Sequence, residues 1–167
     1  MRSWLLIILA IATGGCAGYK LGPTNGIQAG GRSVQFRPFV NRTEEPRITE
    51  YLSTSLRKQL QQDGTYHLET SGHPDILVSG EIIKFLRSGL SYQQGDVLTP
   101  QEYTLTMQAR VKAMDASTGK VFINRTVQGY TYIRIENDEP SAERQAIPLL
   151  ADSVARSTIA LLVDGQW

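Results

Sequence analysis

The segment Glu102–Met114, EYTLTMQARVKAM, alternates between two kinds of side chain without a break. Tyr103, Leu105, Met107, Ala109, Val111 and Ala113 point one way, and Thr104, Thr106, Gln108, Arg110 and Lys112 point the other. A period of two is the signature of a half-buried strand, so the chain contains a sheet with one apolar face. Working outward, Asp115–Lys120 (DASTGK) is a turn, and Val121–Ile133 is a returning strand. On the other side, Ile76–Leu86 (ILVSGEIIKFL) is a central strand joined to the first by a loop, Ser88–Gln101. Further upstream, Ser33–Phe39 makes a short strand that Pro38 places at an edge or an end. Tyr66–Leu68 makes another short piece.

The remaining pattern is helical. Ile48, Leu52, Leu56 and Leu60 recur every four residues. Thr43 serves as the expected N-cap, Glu44, Glu45 and Pro46 suit a first turn, and Asp63-Gly64 ends the helix. A second helix starts near Asn137–Ser141, with Ile147, Leu150, Ala151, Val154, Thr158, Leu161 and Leu162 as its stripe and Pro148 as a point of difficulty. A striped helix and a one-faced sheet must bury those surfaces against each other. The expected fold is therefore α+β: a two-layer sandwich of a roughly four-stranded, mostly antiparallel sheet with two helices on one face. The Thr104/Arg110/Lys112 face is left to solvent or a partner.

Composition bounds the rest. The chain has 167 residues, 17 Lys+Arg, 16 Asp+Glu and one Cys. That is one domain with a short extension, and it needs no disulfide framework. The near-neutral balance argues against nucleic acid as a partner. At the N-terminus, Arg2 is followed by the apolar run Trp4–Ala12 and then by Thr13-Gly14-Gly15-Cys16. This is the layout of a secretory signal, and the run falls well short of the ~20 apolar residues that span a bilayer. Residues 1–15 are thus read as a signal peptide, 16–32 as a Gly-rich flexible tether, and 33–167 as a single domain.

The ending Gly14-Gly15-Cys16 resembles the bacterial lipoprotein box, although Thr13 stands where Leu is usual. That resemblance implies a diacylglycerol on the Cys16 thiol, cleavage before Cys16 and acylation of the new amine. Ala17, where an Asp would retain the protein in the inner membrane, points to the outer membrane. More than one buried acyl chain gives a stable anchor.

Enzyme chemistry finds little support. His67 and His73 lack a nearby nucleophile and any metal-ligand spacing. No phosphate-loop motif and no GxSxG elbow occur, and Glu81 and Glu102 form the one conceivable carboxylate pair. No catalytic residue, metal or cofactor is expected, and a binding or assembly role fits better.

Several segments together point to a family. They are Cys16–Leu21 (CAGYKL), Val34–Thr43 (VQFRPFVNRT), Leu56-Arg57 ahead of Asp63-Gly64, Asp75–Glu81 (DILVSGE), Glu102-Tyr103, and Thr118–Val121 (TGKV). In this combination the chain resembles the LPS-assembly lipoprotein family, LptE, over nearly its whole length. The resemblance implies a lipid-anchored protein on the periplasmic side of the outer membrane. It would pair with the LPS-translocon β-barrel (LptD-like), sit partly inside it as a plug, and assist lipopolysaccharide assembly in the outer leaflet. It also implies that lipopolysaccharide is bound through basic residues near one tip of the sheet. In an antiparallel meander, Leu86, Glu102 and Ile133 share that tip. Arg87 and Arg134 are therefore expected to meet lipopolysaccharide phosphates, since Arg suits bidentate phosphate contact. The loop between them offers Gln93, Gln94 and Asp96 and no cation.

Two other roles belong to lipoproteins of similar fold. A periplasm-facing activator of a peptidoglycan synthase would need a longer tether, because reach grows only as the square root of length. A secretion-channel lipoprotein would need further membrane-crossing hairpins.

Overall fold

The computed structural model describes the backbone of residues 30–93, 96–134 and 139–164, and the side chains of 30–89, 102–134 and 140–164. The expected signal peptide, Cys16 and the tether up to residue 29 lie outside the described residues, as do the side chains of Gln93, Gln94 and Asp96. In chain order the elements are β1 (Ser33–Phe36), β2 (Val40–Asn41), α1 (Ile48–Asp63), β3 (His67–Leu68), β4 (Ile76–Gln93), β5 (Asp96–Asp115), β6 (Val121–Arg134) and α2 (Glu139–Asp164).

The class is α+β, but the sheet differs from the four-stranded expectation. It has six strands in the order β3-β1-β4-β5-β6, with β2 pairing β4 beside β1. The two long hairpin pairings, β4 with β5 and β5 with β6, are antiparallel, whereas β1 and β2 run parallel to β4 and β1 runs parallel to β3. The parallel pairs arise because α1 carries the chain back over the sheet between β1 and β3, the crossover that parallel strands require. Strands of two residues, such as β2 and β3, are too short to show a period. The pairing extends to the ends of the domain: the Gly30 N–H donates to the Thr65 carbonyl at 3.0 Å, and the His67 N–H donates to the Arg32 carbonyl at 2.9 Å.

The expected loop Ser88–Gln101 is another correction. Apart from residues 94 and 95, which are not described, it continues β4 and β5 as strand. Register shifts fall at Gly89/Ser91, Ser91/Tyr92 and Tyr92/Gln93. Each inserted residue resets the alternation, so the segment carries no steady two-residue period to read.

The helix stripes match the sequence. Ile48, Leu52, Leu56 and Leu60 are fully buried, as are Leu150, Ala151, Val154, Thr158 and Leu162. They pack on Val34, Val78, Ile82 and, on β5, Leu105, Met107, Ala109, Val111 and Ala113 in one core. The buried Thr158 hydroxyl donates to the Val154 carbonyl at 2.8 Å, which removes the cost of burying it. α1 starts later than expected. Its N-cap is Arg47, at φ 63°, and not Thr43. Asn41 captures Thr43 instead, its Oδ1 accepting the Thr43 N–H at 2.9 Å and the hydroxyl at 2.8 Å. An Asx turn of this kind competes directly with a cap. Gly64 ends the helix as expected, at φ 75°, with its N–H on the Leu60 carbonyl at 3.1 Å. α2 runs unbroken through Pro148.

α2 lies close against β6. A Cβ on Gly129 would come within 2.7 Å of Val154 Cγ2, so only a bare backbone fits there. Ser153 accepts the Tyr130 N–H and Ser157 donates to the Gln128 carbonyl, both at 3.3 Å. These two contacts occupy part of the outer edge of the sheet, a surface that would otherwise invite strand pairing.

Candidate functional site

The second face of the long hairpins is open. Register fixes its rows, because residues directly opposite one another in an antiparallel ladder share a face. Ser79, Lys112 and Asn124 form one row, then Glu81, Arg110 and Thr126, then Lys84, Gln108 and Gln128. Next come Leu86, Thr106 and Tyr130, then Ser88, Thr104 and Tyr132, and at the end Glu102 and Arg134. Gln108 donates to Gln128 at 2.9 Å across the ladder. Tyr130 and Tyr132 are 55% and 62% exposed, with ring centroids 5.7 Å apart in an edge-to-face arrangement. Leu86 beside them is also exposed.

The two arginines singled out in the sequence do not come together. Arg134 lies opposite Glu102 on the open face, with its Nε 3.8 Å from Glu102 Oε1. Arg87 lies opposite the fully buried Leu105, which places it on the helix-covered side of the sheet. There its guanidinium reaches Glu143 at 2.7 Å and Glu45 at 3.9 Å, and it stands 5.8 Å from the centre of the Phe85 ring. The same Glu143 is largely buried in α2, so Arg87 links that helix to β4 and to the chain ahead of α1. Burial, and next the nearby Glu143 carboxylate, push the Glu45 carboxyl above its usual range, and Arg87 opposes them. The expectation of a shared tip fails for a physical reason. Three positions on β5 separate the partners of Arg87 and Arg134, and an odd separation puts two side chains on opposite faces.

The conceivable carboxylate pair does not form either. Glu81 engages Arg42 at 3.7 Å, while Glu102 sits rows away with Arg134. His67 and His73 are exposed. Among the described residues, no three or more His, Cys, Asp or Glu side chains gather as a metal site. An open groove of about 810 Å³ runs between Arg42–Pro46 and Ile83–Arg87 along the outer edge of β4.

At the opposite end of the sheet the acids serve the turns. Asp115 accepts from the Ser117 and Thr118 hydroxyls and backbone N–H groups, and these hold its carboxyl down to about 2. Asp75 is held below its usual range mainly by the Ser33 N–H and hydroxyl, at 2.7 and 2.8 Å.

Two rows escaped the sequence reading. Tyr130 and Tyr132 share the two-residue phase of Thr126 and Gln128, a signal that was present in Val121–Ile133. The partners of Arg87 left no such signal, because Glu45 and Glu143 are remote in sequence.

This layout defines a class: a small α+β domain with its helices on one face of a mixed sheet and its other face polar and open. Solved structures share the fold. A Xanthomonas campestris protein of the DUF330 family matches with a TM-score of 0.63 at 11% identity, over 87% of this chain and 91% of that one. A minor lipoprotein of Acinetobacter baumannii matches at 0.54 and 13% identity, over 81% and 94%. PelC of Paraburkholderia phytofirmans, a dodecamer, matches at 0.53 and 15% identity, over 85% and 92%. At such identities the likeness is one of fold. No curated protein sequence matches the chain. The family model described as Lipopolysaccharide-assembly, LptE, matches residues 31–160, and the chain belongs to that family.

Proposed function

We propose that the protein is a lipoprotein of the outer membrane, anchored on its periplasmic side through an acylated Cys16. It pairs with an LptD-like β-barrel, partly fills the lumen as a plug, and assists lipopolysaccharide assembly in the outer leaflet. The family match over 31–160 carries this reading. The open sheet face supports it. Its Thr, Gln, Arg and Lys side chains suit a polar, hydrated lumen. The anchor raises the domain's effective concentration beside the barrel without any added contact.

Arg134 and Arg87 act as separate phosphate contacts. Arg134 offers an exposed guanidinium on the open face, and only a 3.8 Å pairing with Glu102 has to loosen. Arg87 has to exchange its bonds to Glu143 and Glu45 before it meets a lipid phosphate. The role needs no catalytic residue and no cofactor.

The test is to solubilise outer membranes in mild detergent, capture the tagged lipidated protein and identify its companions by mass spectrometry. Recovery of one large β-barrel in near-equal amount is the expected result. Recovery of a peptidoglycan synthase, or of the protein with copies of itself alone, overturns the reading.

A further inference from the structure

β4 outruns the strands on its outer side. β1 covers Ile76, Leu77 and Val78, and β2 covers Glu81 and Ile82. The Arg42 N–H makes the last bond, to the Ile82 carbonyl at 2.9 Å. Among the described residues, no strand lies along that side from Ile83 to Gln93. This is about 36 Å of edge at ~3.3 Å per residue. Every second residue of it turns an N–H and a C=O away from β5, and such a row is a template for another strand. The chain leaves β4 along residues 42–46, and the open groove of about 810 Å³ lies between that segment and residues 83–87.

Register selects the strand that fits. Between the shifts at Ile82/Lys84 and Gly89/Ser91, β4 pairs with β5 residue for residue, from Lys84 with Gln108 to Gly89 with Tyr103. This is the regular part of the free edge. The Ile82 carbonyl points outward, and the one inserted residue, Ile83, moves the outward set to Phe85, Arg87 and Gly89. Antiparallel pairing of this stretch with itself, centred on Leu86, joins outward Phe85 to the outward Arg87 of the partner subunit as a hydrogen-bonded pair. It makes Leu86 and the partner's Leu86 a non-hydrogen-bonded pair, the kind that brings side chains closest. Leu86 is 48% exposed and gains an apolar neighbour. Arg87, which stands 5.8 Å from its own Phe85 ring, meets a second one. Lys84 meets the partner's Ser88, so no like charges face each other. Centring on Lys84 or Arg87 instead would oppose like charges, which is destabilising. Centring on Phe85 would bring the bulged Ile83 into the ladder. The shift after Gly89 ends regular pairing where the added strand comes up to residues 42–46.

We infer that residues 84–89 of β4 form a self-association edge, on which a second copy of this chain adds its own β4 antiparallel about Leu86. The two sheets become one continuous sheet. The anchor proposed at Cys16 holds both copies on one membrane surface and raises their effective concentration. The inference goes beyond the plug reading, because it concerns the backbone edge of β4 and not the polar face offered to the barrel.

The experiment uses the full-length protein in detergent. Leu86→Cys is oxidised with copper phenanthroline and run on a non-reducing gel. A disulfide-linked dimer is expected, because the Cα atoms of a non-hydrogen-bonded pair, about 4.5 Å apart, lie within disulfide reach. Lys84→Cys mixed with Ser88→Cys is expected to link across the two variants, and neither variant with itself. Tyr132→Cys, on the same face but away from the edge, is expected to stay unlinked. So is wild type, the control for Cys16. In sedimentation, Leu86→Lys sets two like charges on the axis and is expected to raise the dimer dissociation constant about tenfold, with the melting temperature retained. Absence of the Leu86→Cys link overturns the inference. So does equal linking of Tyr132→Cys, or unchanged sedimentation of Leu86→Lys. In outer membranes, a photo-crosslinker on the thiol of Leu86→Cys is expected to join two copies. Crosslinks to the barrel alone assign the edge to a barrel segment and overturn the inference. Barrel co-purification separates this from the proposed function. Leu86→Lys protein that loses the dimer but keeps the barrel supports the inference and leaves the plug in place. A wild-type dimer that brings down no barrel supports the inference and removes the plug.

Discussion

β5 presents two chemistries on alternate residues. Leu105, Met107, Ala109, Val111 and Ala113 are fully buried beneath the helices, while Thr104, Thr106, Gln108, Arg110 and Lys112 remain partly or fully in water. The same backbone holds both sets, so secondary structure cannot explain the difference. The covered side is explained by packing: α1 and α2 supply the apolar surface it meets. The open side has no such account within the chain. Its two exposed tyrosines, and Lys84, Arg110 and Lys112, which enter no ion pair among the described residues, add little to folding.

If that division is right, substitutions on the two faces separate in magnitude. Leu105→Ala is expected to cost about 2–5 kcal/mol in denaturant unfolding, the range for emptying a packed leucine site. Thr106→Ala, next to it on the other face, is expected to stay within about 0.5 kcal/mol. Equal costs would break the comparison at its root. Gly129→Ala sharpens it on β6. The added methyl meets Val154 Cγ2 and the Val154 backbone nitrogen, both at 2.7 Å, and must push α2 away. The expected loss is about 1–3 kcal/mol, seen as a lower denaturation midpoint.

Arg87 tests the margin between the faces, since it lies on the covered side yet is half exposed. Arg87→Gln leaves Glu143 buried with its charge uncompensated. A fully buried pair would cost more, and solvent at Arg87 reduces the loss to about 1–2 kcal/mol at neutral pH. The sign of the pH effect follows from Glu45. Its carboxyl titrates above its unfolded value of 4.5, so the folded state takes up the proton first, and stability from this group rises as pH falls through that raised value toward 4.5. Loss of Arg87 pushes the carboxyl up further. The deficit of Arg87→Gln in thermal melts should therefore be larger at pH 7 than at pH 4.

The smallest effect belongs to Asp115, partly exposed at the other end of the sheet. Its carboxyl titrates at about 2 against an ordinary 3.8, so its contribution is present above 3.8 and is lost as pH falls to about 2. Asp115→Asn should lower the melting temperature slightly at pH 7, and the difference from wild type should close on approaching pH 2.

How much of this the sequence disclosed follows from the length of each pattern. Glu102–Met114 and Ile48–Leu60 carry enough repeats to declare strand and helix, and Asp63-Gly64 marks its own end. β2 and β3 carry too few residues to show any period. The outer parts of β4 and β5 read as loop because shifts in register erase the alternation. The open face was legible at Thr104, Arg110 and Lys112, and the same rule extended to β6 finds Tyr130 and Tyr132. The separation of Arg87 from Arg134 was not legible, because it depends on the exact register of β4 against β5, and one step of register moves a side chain to the other face. Nor was the capture of Arg87 by Glu45 and Glu143, a contact made only once α2 is docked.

The most direct test of the open face as the working surface is side-chain oxidation footprinting of the full-length protein, free and saturated with lipopolysaccharide. The account predicts protection of Tyr130 and Tyr132, with Tyr51 and Leu149 on the helical side reacting as before. Protection confined to Tyr51 and Leu149, with both β6 tyrosines unchanged, would contradict it.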